Sequence, residues 1–548
     1  MTRELRVSQY GYSSCPGCGR YVRLEDEIED TRCPFCGAGI LDEPAAPPPG
    51  TLAHMAAQPG RSGRAAAFLA AASPPPPPPR PRRDPELDDD PAALPRNRAA
   101  DPDAGFTPPG HAVWELTLGC DLKCFHCGSR AGKVRTAELS TEECLDLVHQ
   151  MAELGIREVT LIGGEAYMRR DWHRIAREIT SLGMGCSMTT GGRNFGPERL
   201  EQAVEAGISS IGVSIDGLEA THDAQRGVSG SWRAAVETSR RIAGSPIRLA
   251  TNSQLNLLSA AEMPGIARLM RDVGSAAWQI HLTVAMGRAA DRPDLLLQPD
   301  DLLEIFPLLV WVREQILDPA GIAMVVANNI GYFGPYERAL RYGGDAGVHW
   351  SSCTAGRQVI GIEADGKIKG CPSLATRSFT GGNVRERPLR EIVRETPELT
   401  SIGRRGPADL WGFCGTCYYA EVCTGGCSWT AHSLLGRLGN NPYCIHRALT
   451  LEERGLRERV VKVASAPGEP FDAGRFEIRL EDDARTDRVP EIAGIPLDRV
   501  MAAGPDMPGH FDARTLASHL ARRDPEAEVD SGTGADGRQF SEGEGSAP

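Results

Sequence analysis

Three cysteines spaced CxxxCxxC directly after an apolar, β-type run constrain this chain more than any other feature: Cys120, Cys124 and Cys127 in LTLGCDLKCFHCGSRAG. A tetrahedral zinc site takes four ligands, and this loop offers three. Three thiolates instead suit a [4Fe–4S] cluster whose fourth iron stays open to a cofactor or substrate. The chain holds 16 cysteines in 548 residues. Most stand in tight pairs or triples, the habit of metal sites rather than of a disulfide scaffold.

The surrounding pattern alternates short β-rich segments with amphipathic helical ones. Strands are expected at 112–118, 158–163, 186–190, 210–216, 247–253 and 278–284, and helices near 140–154, 171–182, 197–206, 232–243 and 260–273. Such βα repetition implies parallel strands covered by helices. Six repeats predict an α/β fold built on an open (β/α)6 barrel, a partial TIM-type barrel with its chemistry at the strand C-termini. The expected division is a ribbon-like module over 1–40, a disordered Pro-rich linker over 41–110, the barrel over 111–299 and a bridging region over 300–352. A cysteine-rich domain over 353–462 and a mostly disordered acidic tail over 463–548 complete it. A helix is expected at 300–317, a DG-turned hairpin in GRQVIGIEADGKIKGC, a helix at 445–461 and a strand at GRFEIRLE.

The cysteine loop, with aromatic Phe125 after its second cysteine, resembles the radical SAM superfamily. In that family the open iron chelates S-adenosylmethionine (SAM), and one electron cleaves SAM to a 5′-deoxyadenosyl radical that takes hydrogen from carbon. Gly163, Gly164 and Glu165 end the second strand as GGEA, resembling the family's GGEP motif that binds the SAM amino group; Ala166 replaces the usual proline. VSIDGLEATHDAQRG resembles the ribose-side segment of peptide-modifying members. The resemblance implies Ser214 at the SAM ribose or carboxylate and Arg226 forked onto the carboxylate. Asp216 is left between a ribose contact and a turn cap. Thr189 and Thr190 are weaker candidates, since threonine is also a good strand former.

Downstream, Cys353, Cys371, Cys414, Cys417, Cys423, Cys427 and Cys444 match the SPASM extension of radical SAM enzymes at all seven cysteines. The resemblance implies two auxiliary [4Fe–4S] clusters, one on Cys414, Cys417, Cys423 and Cys444 and the other on Cys353, Cys371 and Cys427. A zinc-ribbon reading of Cys414 and Cys417 stays open. Where some relatives supply a further thiolate, this chain has Gly347, which leaves an open iron or a non-cysteine ligand such as His349. Tyr332, Tyr336, Trp278 and Gln279 fall in segments resembling SPASM peptide maturases, where they either line a substrate channel or pack the barrel mouth.

Cys15, Cys18, Cys33 and Cys36 form two CxxC knuckles that resemble a zinc ribbon, implying Zn2+. Cys144 and Cys186 have no partner motif and read as small core residues. His126, inside the cluster loop, is expected to face solvent.

The net charge is −13, and residues 466–548 hold 9 Arg and 18 acidic residues with no Lys. Neither nucleic acid nor an anionic membrane is expected as a partner. The N-terminus lacks an apolar signal core and no run of 18 apolar residues occurs, so the expected location is cytoplasmic. The resemblance implies an enzyme that modifies a peptide or protein side chain and takes electrons from a flavodoxin- or ferredoxin-type donor. Alternatives are a SPASM enzyme acting on a non-peptide substrate, one maturing an enzyme active-site residue, and a non-catalytic iron–sulfur carrier or zinc-ribbon adaptor.

Overall fold

The computed structural model describes residues 7–24, 32–40, 51–57, 60–72, 106–341, 349–484 and 490–504. Gly347, most of the linker and the end of the tail lie outside them. A short hairpin comes first, β1 (Tyr12–Ser14) with β2 (Tyr21–Arg23). The centre is a ten-stranded sheet. Its strands are β3 (His111–Glu115), β4 (Glu158–Ile162), β5 (Gly185–Thr190), β6 (Ser210–Ser214), β7 (Arg248–Leu255), β8 (Ala277–Leu282), β9 (Ala323–Val326), β10 (Val359–Ile362), β11 (Lys367–Lys369) and β12 (Thr380–Asn383).

β3 to β8 are the six expected strands, paired in parallel and in chain order. The sheet runs further at both sides. β9 adds in parallel to β8, and β10 pairs in parallel with β3 before the expected hairpin turns back through β11 to β12. The cysteine-rich domain is thereby stitched to the first barrel strand.

Each strand alternates its side chains between a helix-covered face and a lumen, the period-two rule of a pleated sheet. Trp114, Val159, Leu161, Met188, Ile211, Val213, Trp278 and Ile280 face the helices and are fully buried, each such large apolar side chain contributing about 1.5–3 kcal/mol. The helix Thr141–Leu154 shows how the sequence writes its own boundaries. Ser140 and Glu143 close a capping box, Gly155 ends it in a left-handed conformation, and Cys144, Leu147, Val148, Met151 and Leu154 form its buried stripe.

The bridging helix Leu302–Val312, LLEIFPLLVWV, is apolar on all sides and buried at every residue, as such a helix must be. Its Glu304 is therefore a buried carboxylate in need of a cation. Arg61 supplies it, with Nε and Nη2 each 2.7 Å from Glu304. Arg61 belongs to the alanine-rich helix Gly60–Ala72, whose Ala65, Ala66 and Leu69 are in the core. The linker is thus structured over this stretch, contrary to expectation.

The tail is also more ordered than expected. The helix after Cys444 stops at Glu452, and β13 (Leu456–Ala464) pairs antiparallel with β14 (Arg475–Asp482). A further short hairpin leads into the helix Leu497–Met501, which packs on the barrel core.

Candidate active site

The three-cysteine loop leaves the C-terminal end of β3 and is held by backbone from both sides. Gly132 N donates to Leu118 O, and Cys120 N to Gly132 O. Gly164 N and Glu165 N donate to Thr117 O and Gly119 O at 2.7 and 2.8 Å. The two chains come so close that a Cβ on Gly164 would stand 2.2 Å from Gly119 O, so glycine is required by packing as well as by any ligand.

Amides surround the sulfurs: Leu122 N lies 3.4 Å from Cys120 Sγ and Ala131 N 3.3 Å from Cys127 Sγ. Arg226 Nη1 stands 3.6 Å from Cys124 Sγ. Burial pushes the Cys120 thiol up to about 12 and the Cys124 thiol to about 11, so these groups ionise only when a cation arrives to hold them. Donors aimed at sulfur and thiols awaiting a cation fit a thiolate-bound cluster.

Beside this loop, ligand atoms of Cys120, Asp121 and Glu165 lie within 4.8 Å of one another. Glu165 accepts Thr190 Oγ1 at 2.6 Å and Gly191 N at 2.7 Å, which gives Thr190 a definite role in orienting it; Thr189 faces the lumen near Gly212. Burial raises the Glu165 carboxyl to about 7. Among the described residues no Lys or Arg hydrogen-bonds this carboxylate, and such a group, buried beside the cysteine loop, fits an ammonium.

Asp216 is fully buried and accounts for its own position. Its Oδ2 is 2.7 Å from Arg226 Nη2 and 3.3 Å from His126 Nε2, and its Oδ1 accepts Gln254 N. His126 is therefore turned inward, not toward solvent as expected. Arg226 is likewise held by Asp216 through Nη2 and by Cys124 through Nη1, and its Nε is unpartnered. His222, beside Asp216, is neutral, burial taking it down to about 3.

The upper lumen is lined by Thr189, Ser214, Asn252, Gln254, Gln279 and His281, with Asn252 opposite Gln279 and Gln254 opposite His281. Burial holds His281 neutral, down at about 4. Of the other channel candidates, Trp278 points outward into the core with Nε1 on Ser253 Oγ, and Tyr336 packs edge-on to Phe306. Tyr332 accepts Cys427 N and donates to Asn328 O.

The seven downstream cysteines fall into two neighbourhoods. Burial raises Cys371 to about 12, with the charges of Cys353 and Cys427 adding to it. Burial likewise raises Cys423, here with Cys444, Cys414 and Cys417. These are the two sets that the resemblance implies. His349 belongs to neither, because its Nδ1 meets Trp350 O and its Nε2 meets Ser8 Oγ, both at 2.7 Å; the N-terminal module has captured the suggested ligand.

In that module Cys15 Sγ and Cys36 Sγ are 3.7 Å apart and Cys18 Sγ and Cys33 Sγ 3.5 Å, and all four lie within 4.8 Å. Sulfurs about 2.3 Å from one zinc ion, set tetrahedrally, stand at about this separation. The module is welded to the cysteine-rich domain. Tyr419 Oη donates to Tyr21 O at 2.7 Å, Arg20 pairs with Glu453, and Phe35 packs on Tyr418, Tyr419 and His446.

Sequence reasoning missed Arg288, whose Nε donates to Cys124 O and whose backbone N donates to Cys127 O. It also missed Met286, whose sulfur accepts Trp429 Nε1 at 3.2 Å. Both lie just after β8, in the stretch AMGRA, and no motif there marks either one.

Comparison with known proteins identifies the family. Residues 114–255 match the Radical SAM superfamily and residues 353–418 match an iron–sulfur cluster-binding domain, SPASM. The chain is similar to the AdoMet-dependent heme synthase of Methanosarcina barkeri, 31% identical over 349 residues that cover 61% of this chain and 96% of that protein. It is also similar to the mycofactocin maturase MftC of Mycobacterium tuberculosis, 27% identical over 59% of this chain and 79% of that protein. A crystal structure of Streptococcus suis SuiB bound to S-adenosylmethionine aligns over 62% of this chain and 76% of its own, at 16% identity and a TM-score of 0.49. The chain belongs to the radical SAM superfamily and carries a C-terminal SPASM iron–sulfur cluster-binding domain.

Proposed function

We propose that this enzyme removes hydrogen from a carbon of a peptide or protein substrate held in the barrel lumen. The observation that carries this is the lumen's chemistry. Among the described residues, the upper positions of β5 to β8 present hydroxyls, the amides of Asn252, Gln254 and Gln279, and a neutral His281, with no Lys or Arg. Amide side chains match the donors and acceptors of a peptide backbone. The likeness to a maturase supports the same reading.

In this reading Cys120, Cys124 and Cys127 hold the cluster that binds SAM. When bound, cluster and SAM supply one electron and a 5′-deoxyadenosyl radical. Glu165 and the Gly163–Gly164 backbone take the SAM ammonium, Thr190 fixes the carboxylate of Glu165, and Ser214 meets the ribose side. Asp216 and Arg226 set the charge behind Cys124. Cys353, Cys371 and Cys427 hold one auxiliary cluster and Cys414, Cys417, Cys423 and Cys444 the other, while Cys15, Cys18, Cys33 and Cys36 hold zinc.

A second reading, a porphyrin substrate, is favoured by the likeness to a heme synthase over almost that protein's whole length. A porphyrin's carboxylates call for Arg or Lys in the lumen, and that weighs for the peptide. Reconstituted enzyme with SAM and dithionite decides between them. A peptide encoded beside this gene should lose mass in steps of two hydrogens or gain a crosslink. Turnover of an iron porphyrin with no change in the peptide would replace this reading by the second.

A further inference from the structure

The loop joining β13 to β14 does not close as a short turn but reaches across to the cysteine loop. Phe471 N donates to Gly128 O at 2.9 Å, next to Cys127, and Gly287 N donates to Asp472 O at 2.8 Å. Arg130, the end of the cysteine loop, places Nε 2.9 Å from Asp472 Oδ1 and 3.2 Å from Glu469 O. Its Nη1 and Nη2 take Asp291 at 2.7 and 3.0 Å. Asp472 is itself fixed by Gly468 N and Glu469 N, and its side chain is 5% exposed.

The same loop touches the auxiliary side. The Phe471 ring is buried with Met286, Ala355 and Leu374, in an apolar cluster against which Cys353 and Cys371 pack. Lys369 Nζ lies 3.6 Å above its centre. One residue thus binds the cysteine loop through its backbone and the wall of the Cys353–Cys371 neighbourhood through its ring. Met286 and Gly287 are sandwiched between.

We propose that Phe471 and Asp472 are positioning residues for SAM binding. This strap fixes the Cys127–Arg130 end of the cysteine loop, and with it the site of the open iron relative to the nearer auxiliary cluster. The inference rests on the assignment of Cys120, Cys124 and Cys127 to the SAM-binding cluster. The contacts of Phe471 and Asp472 are with Gly128, Arg130 and Gly287, so the strap acts through the end of the cysteine loop. Partners standing behind metal ligands, when removed, typically cost about 10- to 100-fold in affinity or activity.

The test uses the reconstituted full chain and the paramagnetic resonance signal of its reduced cluster, titrated with SAM. Asp472→Ala should need about tenfold more SAM to convert the signal, with the auxiliary signals unchanged and Asp472→Asn restoring most of the loss. Conversion of Asp472→Ala at the wild-type SAM concentration overturns the proposal. If Asp472→Ala does not fold, Arg130→Gln carries the same titration from the other side of the contact. A wild-type signal that SAM does not alter would instead sink the cluster assignment itself, an outcome separate from either variant's behaviour.

Discussion

Asp216 and Arg226 form a buried ion pair, Oδ2 to Nη2 at 2.7 Å, directly behind Cys124. Burial alone would raise the Asp216 carboxyl, but the Arg226 guanidinium above all outweighs it and holds it below its ordinary value. Asp216→Ala leaves a buried guanidinium without its counter-charge and should cost about 3–5 kcal/mol of unfolding free energy. Denaturant titration measures this. Because the folded value is depressed, the contribution is full above about pH 4 and is lost as pH falls through the folded value. The wild-type and variant stabilities should therefore converge in acid.

Glu165 gives the opposite sign. Its carboxyl is raised to about 7 by burial, and only the ionised form attracts an ammonium. SAM affinity of the reconstituted enzyme should rise with pH through about 7 and then level. Glu165→Gln preserves the shape, removes the charge, and should weaken SAM binding by about 2 kcal/mol or more while abolishing the pH step. Equilibrium dialysis across pH 6 to 8, with the range set by about one unit either side of that value, reads both.

Arg61→Ala tests the helix that precedes the barrel. It strands Glu304 and disturbs Asp300 and Asp483, which lie 3.2 and 3.3 Å from Arg61 Nη1. A loss of about 3–5 kcal/mol is expected, although Arg61 lies far from the cysteine loops in sequence. A shift within the error of a calorimetric melt would show that this helix is not part of the fold.

Cys15→Ser should release the zinc and, through Tyr21, Phe35 and Tyr419, loosen the cysteine-rich domain. Metal analysis should find zinc absent and iron lowered by up to one cluster, about four atoms per chain, with the SAM-induced cluster signal retained. Zinc loss with full iron would mean the ribbon is only attached, not supporting.

The barrel was legible in the sequence because its strands and helices carry their own periods. Thr141–Leu154 announces both ends, and β3 to β8 fall where the apolar runs are. The three-cysteine loop and the two N-terminal knuckles were legible from spacing, since metal geometry restricts it, and the grouping of the other seven cysteines came from the resemblance. What was hidden depends on partners distant in sequence. Gly60–Ala72 sits in a proline-rich composition, and only the solitary Glu304 inside an apolar helix hinted that an arginine must come from elsewhere. His126 was misjudged because its partner, Asp216, lies on another strand's end. His349, offered as one alternative to an open iron, is taken up by Ser8, Tyr12 and Tyr21 from the other end of the chain.

The contact between Tyr21 and Tyr419 joins residues 398 apart. At about 5–20 residues per second of synthesis, the knuckles leave the ribosome about 20–80 s before the surface that receives them exists. In that interval a module of this size has too little apolar matter to stay folded by itself, and a zinc ion on Cys15, Cys18, Cys33 and Cys36 would hold Tyr12, Tyr21 and Phe35 in their docking arrangement. The contact that joins the knuckles to the cysteine-rich domain therefore forms only after nearly four hundred further residues have been made.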